Sequence, residues 1–256
     1  MTGRAGVARP LLPTIDDAPG RHARFGGCLY LFIIGADLFA DGVRHSLVRS
    51  GDPLGNVHAI AGSPDLWTAG VVVEFALLPC ALALATIEYR LLQPVHRDLA
   101  FFALVTNLAS IALEAGNATL PVLVARLTGD DSAEPAWRAV DLVLRAHAVG
   151  LDLGVALSGV GCLALGYLIF HSRFLPRPLG VAMGLAGVGH VVGAGSALFF
   201  PTIARAVLPA TLVVPFVGEL SFCLWLIFRG VDVAAWRRCR DAASVRLTDL
   251  SKEPLR

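Results

Sequence analysis

Charge is scarce in this chain. Only 16% of its 256 residues are Asp, Glu, Lys or Arg, against roughly a quarter in a soluble domain. An ordinary water-facing surface is therefore excluded. The net charge is +1, and no basic patch is interleaved with aromatic residues, so nucleic acid is not an expected partner. Cysteine is limited to Cys28, Cys80, Cys162, Cys223 and Cys239. No two have CxxC spacing, which points to neither a disulfide framework nor a zinc site. The first four lie in apolar segments and are read as small hydrophobes. There is no P-loop, so the chain does not hydrolyse ATP. There is no HExxH, no Cys/His cluster and no GxSxG elbow. Neither a metal nor a cofactor is expected.

What is present is apolar sequence in long runs. Hydrophobic residues make up 55% of the chain. A spanning helix needs roughly 20 apolar residues. Six segments meet that length or nearly so: 25–43, 66–89, 99–125, 147–170, 179–200 and 211–229. The expected fold is all-α, a polytopic bundle of six transmembrane helices within residues 25–229. Residues 1–24 and 230–256 read as polar, Arg-rich tails, and 134–146 as a short interfacial helix. Ser63-Pro64-Asp65 supplies an N-cap, a first-turn proline and an acid before the second span. Arg177-Pro178-Leu179 does the same less completely before the fifth, and Pro201 closes it.

Basic residues orient the bundle. Fifteen Lys and Arg fall in the two tails and the second and fourth connections, and five in the other connections. Arg145 sits at a span entrance. The positive-inside rule then puts both termini in the cytoplasm. The acidic stretch Asp130-Asp131-Ser132-Ala133-Glu134 falls outside. A rival reading takes Cys28–Ala36 as a signal-peptide core, but no clean A-x-A site follows.

Ionisable residues inside spans are costly and invite a functional reading. They are Asp37, Asp41, Glu74, Glu114, Asp152, His190 and Glu219, all candidate ligand-binding residues. Counting along the spans places them in the outer half of the bilayer. Asp37 and Asp41 share one helical face. Pro79 and Pro121 leave the carbonyls of Phe75 and Asn117 without helix donors, each beside an acid. The expectation is an outward-facing acidic cavity, with Arg44, Arg145, His45 and His147 near its mouth. The alternative is that the acids only pair with Arg145, His190 or backbone and hold the bundle together. Gly180-x3-Gly184 and Gly189-x3-Gly193 allow close helix contact, and packing within the chain is favoured over dimerisation. Gly27-Cys28-Leu29 and Gly161-Cys162-Leu163 hint at a three-plus-three inverted repeat, on three residues only.

The run from Gly159 to Leu168, then Phe170-His171-Ser172-Arg173-Phe174-Leu175-Pro176 and Leu179-Gly180, resembles the bacterial membrane family catalogued as domain of unknown function 4386. Leu29-Tyr30-Leu31, Gly51-Asp52-Pro53, Gln93-Pro94-Val95-His96-Arg97, Gly218-Glu219-Leu220 and Leu224-Trp225-Leu226 also match its pattern. The resemblance covers residues 21–232. It implies six spans in a bacterial cytoplasmic membrane and no known activity. The chain departs from the pattern at Ala103, near an expected Arg, and at Gly161, where the family often has His.

Three functions remain open at this stage. One is binding or transport of a small cationic or amphiphilic ligand. A second is a membrane-embedded acid/base enzyme acting on a lipid or isoprenoid, with Glu74, Glu114 and Glu219 as catalytic candidates. The third is a structural or regulatory membrane partner, with Trp236-Arg237-Arg238 as an interfacial anchor. The lipid bilayer is the one partner common to all three.

Overall fold

The apolar runs become helices because a bilayer offers no water to unsatisfied backbone groups. The computed structural model describes residues 15–128 and 133–250, without the side chains of 133–136, 201 and 246–250. All the described elements are helices: α1 (Pro19–Leu47), α2 (Pro53–Gly62), α3 (Pro64–Leu92), α4 (Arg97–Asn117), α5 (Thr119–Thr128), α6 (Ala133–His171), α7 (Arg177–Phe199), α8 (Pro201–Phe228) and α9 (Val233–Leu250). Six stretches are long and apolar enough to span a membrane: α1, α3, α4 with α5, α6, α7 and α8. The chain is a multi-pass membrane protein.

Proline sets many of the starts. Pro19, Pro53, Pro64 and Pro201 open α1, α2, α3 and α8, and Pro178 lies in the first turn of α7. A first-turn proline costs no helix hydrogen bond and presets φ. Pro201 therefore does more than close the fifth span. It opens the sixth, ten residues before the start expected at 211, and Pro209 and Pro215 are carried inside α8. Ser63 stands at the N-cap of α3, but its side chain makes no cap bond. The third span is broken, because Pro121 cannot donate to Asn117 and the helix ends there.

Three further differences concern the ends. Residues 134–146 are not a separate interfacial helix, since α6 runs unbroken from Ala133 to His171. Asp130 and Asp131 lie outside the described residues, as do Arg4, Arg9, Lys252 and Arg256. The C-terminal tail folds as α9 and docks. Its Trp236 is buried and donates from Nε1 to the Leu91 carbonyl at 2.9 Å. It is a packing residue, not the interfacial anchor expected from sequence. Asp232 caps α9 by accepting from the Ala235 amide at 2.9 Å.

The spans pack in a closed ring, in the order α1, α3, α4, α6, α7, α8 and back to α1. One end of the ring carries α2 and α5, and the other carries α9. Two apolar cores fill it. The larger joins Tyr30, Leu84, Ala103, Leu168, Met183, Phe222 and Trp236 toward the α9 end. The smaller joins Val43, Ile60, Trp67, Val124 and Val140 at the α2 end. Along α1 the gap between them runs from Ile34 to Val43, and along α6 from Val140 to Cys162. Most of the intramembrane polar residues fall in that gap.

Glycine decides how tightly the ring closes. A Cβ at Gly166 would meet the Gly184 amide nitrogen at 2.6 Å, and one at Gly187 the Gly159 carbonyl at 2.7 Å. These glycines bring α6 and α7 into backbone contact. On its other face α7 uses Gly189 and Gly193, whose added Cβ would strike Pro215 and Thr211 of α8. By contrast Gly35, Gly42, Gly116 and Gly195, all toward the α2 end, face open space.

Candidate functional site

The polar gap begins on α1. Asp41 and Arg44 lie three residues apart on one face, and Arg44 Nη1 donates to Asp41 Oδ1 at 2.7 Å. The other amino group of Arg44 reaches across to α3 and meets Glu74 Oε1 at 2.5 Å. Charge-assisted bonds of this length are the strong ones. His147 of α6 stands behind the pair, with Nε2 3.8 Å from the same Glu74 oxygen.

The broken third span orients that histidine. Pro121 leaves the Asn117 carbonyl without its helix donor, as the sequence predicts. His147 Nδ1 lies 3.3 Å from that carbonyl, and Asn117 Nδ2 donates to the His147 carbonyl at 3.0 Å. The carbonyl is an obligate acceptor, so Nδ1 carries a proton. His147 is 2% exposed. Its Nε2 is buried without a hydrogen-bond partner among the described residues. On the α2 side of the pair Trp67 donates to the Pro121 carbonyl at 3.0 Å.

Deeper in the ring the acids continue. Asp37 is exposed on α1, close enough to Glu114, Asp41, Glu219 and Glu74 to interact electrostatically. Glu114 of α4 lies 2.9 Å from the Ser110 hydroxyl, which is also 2.9 Å from the Gly154 carbonyl of α6. Glu219 of α8 accepts from His190 Nε2 of α7 at 2.7 Å. The Cys162 thiol of α6 lies 3.9 Å from the same carboxylate oxygen. Below them Glu88 of α3, 6% exposed, feels Glu219, and the buried Tyr30 feels both.

The candidate residues thus separate into those drawn together and those left apart. Asp37, Asp41, Glu74, Glu114, His190 and Glu219 form one electrostatically connected set. Asp152 is half-buried on α6 and makes no hydrogen bond or ion pair among the described residues. Arg145 is 70% exposed and pairs with Asp141 at 2.8 Å, away from the set. His45 turns back to the Asp41 carbonyl at 2.8 Å. Of the four basic residues expected at the mouth, only Arg44 and His147 join the acids.

The depth expected for Glu219 needs correction. With α8 starting at Pro201, Glu219 is 18 residues in, about 27 Å along the axis. It lies past the middle of the helix, toward the α9 end. Sequence reasoning also passed over Glu88, one residue inside the second span's expected boundary, where an acid reads as a solvated end. Together these residues make the acids a column through the bundle rather than a cluster in one half. Cys162 was missed for a different reason. It is 28 residues from His190 and 57 from Glu219 in the chain, and only the fold brings them together.

The comparisons with known proteins agree with the architecture. An uncharacterized protein from Archaeoglobus fulgidus is 31% identical over 80 residues, covering 31% of this chain and 46% of that protein. The matched region is thus just under half of that relative. No solved structure matches. A family described as a domain of unknown function, DUF4386, matches residues 25–230. That match takes in all six spans, and the chain belongs to the DUF4386 family.

Proposed function

We propose that the chain binds a small cation or cationic amphiphile from the α2 end and moves it across the bilayer in exchange for protons. The observation that carries this reading is a column of acids that starts between the two apolar cores and runs into the larger one: Asp41, Glu74, Asp37, Glu114, Glu219 and Glu88. Chains of Asp, Glu and His at membrane depth serve as ion and proton paths in transporters. The excess of Lys and Arg in the tails and in the α3–α4 and α6–α7 connections favours an α9 end in the cytoplasm, which would turn the α2 end of the column outward from a bacterial cytoplasmic membrane.

The acid/base-enzyme reading draws less support. Two of its three candidates, Glu74 and Glu219, are already engaged as partners of Arg44 and His190.

The test is reconstitution in proteoliposomes with ethidium as the cationic probe and an internal pH dye. Ethidium uptake is expected to require a proton gradient and to release protons. Glu74→Gln combined with Glu219→Gln is expected to abolish both. Uptake unchanged in that double variant sinks the reading.

A further inference from the structure

The part of the column around Glu219 holds a second kind of chemistry. Cys162 Sγ, His190 Nε2 and a Glu219 carboxylate oxygen lie within 4.8 Å of one another. They come from three successive spans, α6, α7 and α8. We infer that Cys162, His190 and Glu219 form a binding site for one thiophilic divalent transition-metal ion near the middle of the bundle.

Geometry is the first ground. Tetrahedral zinc sits about 2.3 Å from sulfur and about 2.0–2.2 Å from nitrogen and oxygen. Its ligand atoms are then separated by about 3.3–3.6 Å. Here the separations are 2.7 Å for His190 to Glu219 and 3.9 Å for Cys162 to Glu219. The His190–Glu219 pair must open, and the Cys162 sulfur must close on both partners, by about an ångström or less toward Glu219 and somewhat more toward His190. The helices hold the frame for such an adjustment. A Cβ on Gly159 would meet the His190 Cβ at 2.8 Å, so α6 and α7 are locked together at the level of the site. Ser158, one turn from Cys162, is a hydrogen-bonding neighbour of its thiol. Outer partners of this kind orient metal ligands.

Charge is the second ground. A bilayer interior penalises net charge. A thiolate, a carboxylate and a neutral imidazole carry two negative charges, which a divalent ion cancels. The empty site is also neutral when the thiol is protonated and His190 and Glu219 share one mobile proton. Loading then exchanges one divalent ion for two protons: one leaves the Cys162 sulfur, and one leaves the His190–Glu219 hydrogen bond, with His190 Nδ1 keeping the other. Release of protons on ligation is the general behaviour of thiolate and imidazole sites.

Ligand softness is the third. A thiolate with an imidazole selects zinc, cobalt or similar ions over magnesium and calcium, which prefer oxygen-only sites. Three protein ligands leave a fourth position for water or an exchanging ligand, as in open zinc sites.

The site shares Glu219 with the proposed transport path but does not rest on it. The experiment therefore uses no gradient. The full chain is purified in detergent, stripped with a chelator and titrated with Co2+. The expected result is one Co2+ per chain, a thiolate-to-cobalt charge-transfer absorption, and about two protons released per ion. Cys162→Ser is expected to lose the absorption, while Cys28→Ser and Cys80→Ser retain it. His190→Ala and Glu219→Gln are expected to weaken binding by at least about tenfold. Each variant is first shown to melt as a folded protein. An absorption that survives Cys162→Ser, or none in the native chain, overturns the inference whether or not ethidium uptake is observed.

Discussion

Arg44 is the residue on which the α2 end of the column depends. Its guanidinium is 20% exposed and the Glu74 side chain 15% exposed, so removing either partner strands a largely buried charge. Arg44→Met is expected to lower stability by about 3–5 kcal/mol, the range for breaking a buried ion pair. Glu74→Gln is milder, because Arg44 retains Asp41 at 2.7 Å. The double variant Arg44→Met with Glu74→Gln is expected to cost less than the sum of the two, since no stranded charge remains. Thermal melting of the four proteins in one detergent measures this cycle. Additive losses mean that the pair carries no coupling. His147 belongs to the same network, but nothing in the sequence marks it as buried. It stands near a span entrance, where histidine is usually solvated. Its position became legible only through Pro121, whose missing amide frees the carbonyl that His147 takes. The proline was readable; its partner, 30 residues away, was not.

At the scale of the element, glycine spacing carries the packing. The sequence draws attention to Gly-x3-Gly pairs on α7. The structure uses Gly189 and Gly193 in that way against α8, yet the α6 contact follows a different spacing. Gly159 and Gly166 on α6 meet Gly187 and Gly180 on α7, seven residues apart on each helix, as antiparallel neighbours require. Gly184 lends its backbone to this contact, but its own Cβ position is open. These facts separate two glycines of the same motif. Gly180→Ala places a Cβ 2.5 Å from the Phe170 amide nitrogen, and overpacking against backbone is expected to cost about 1–3 kcal/mol. Gly184→Ala meets nothing within 4 Å and is expected to be neutral or slightly stabilising, because alanine favours helix over glycine. Melting temperatures of the two variants check the contrast. Equal losses at both positions contradict the packing described. Helix number was legible because each span needs a long apolar run. Helix starts were less so, because Pro201, Pro209 and Pro215 read as interruptions while α8 carries all three.

At the scale of the whole molecule, the Arg44–Glu74–His147 network lies toward one end of the ring, and the other end is sealed. The sealed end is closed by α9, where Trp236 reaches the last turn of α3 and Cys239 the turn after it. This seal was not legible, since Arg-rich sequence after the last span reads as solvated tail. The ring order was not legible either, because apolar runs say how many helices cross but not which neighbours they choose. Direction across the membrane rests on basic residues alone, and it decides what the column faces. Arg21, Arg24, Arg229 and Arg237 gather around one cleft at the α9 end. Placing these charges on the cytoplasmic side agrees with the positive-inside tendency. Single-cysteine chains test it, in a background whose five native cysteines are replaced. Ala61→Cys lies exposed on α2, and Ala242→Cys lies exposed on α9. In intact spheroplasts a membrane-impermeant maleimide is expected to label the first and to leave the second unlabelled until the membrane is opened. The reverse pattern turns the column inward. The same acids then face the cytoplasm, and the cation would enter from the cytoplasm at the α2 end and leave the cell in exchange for protons.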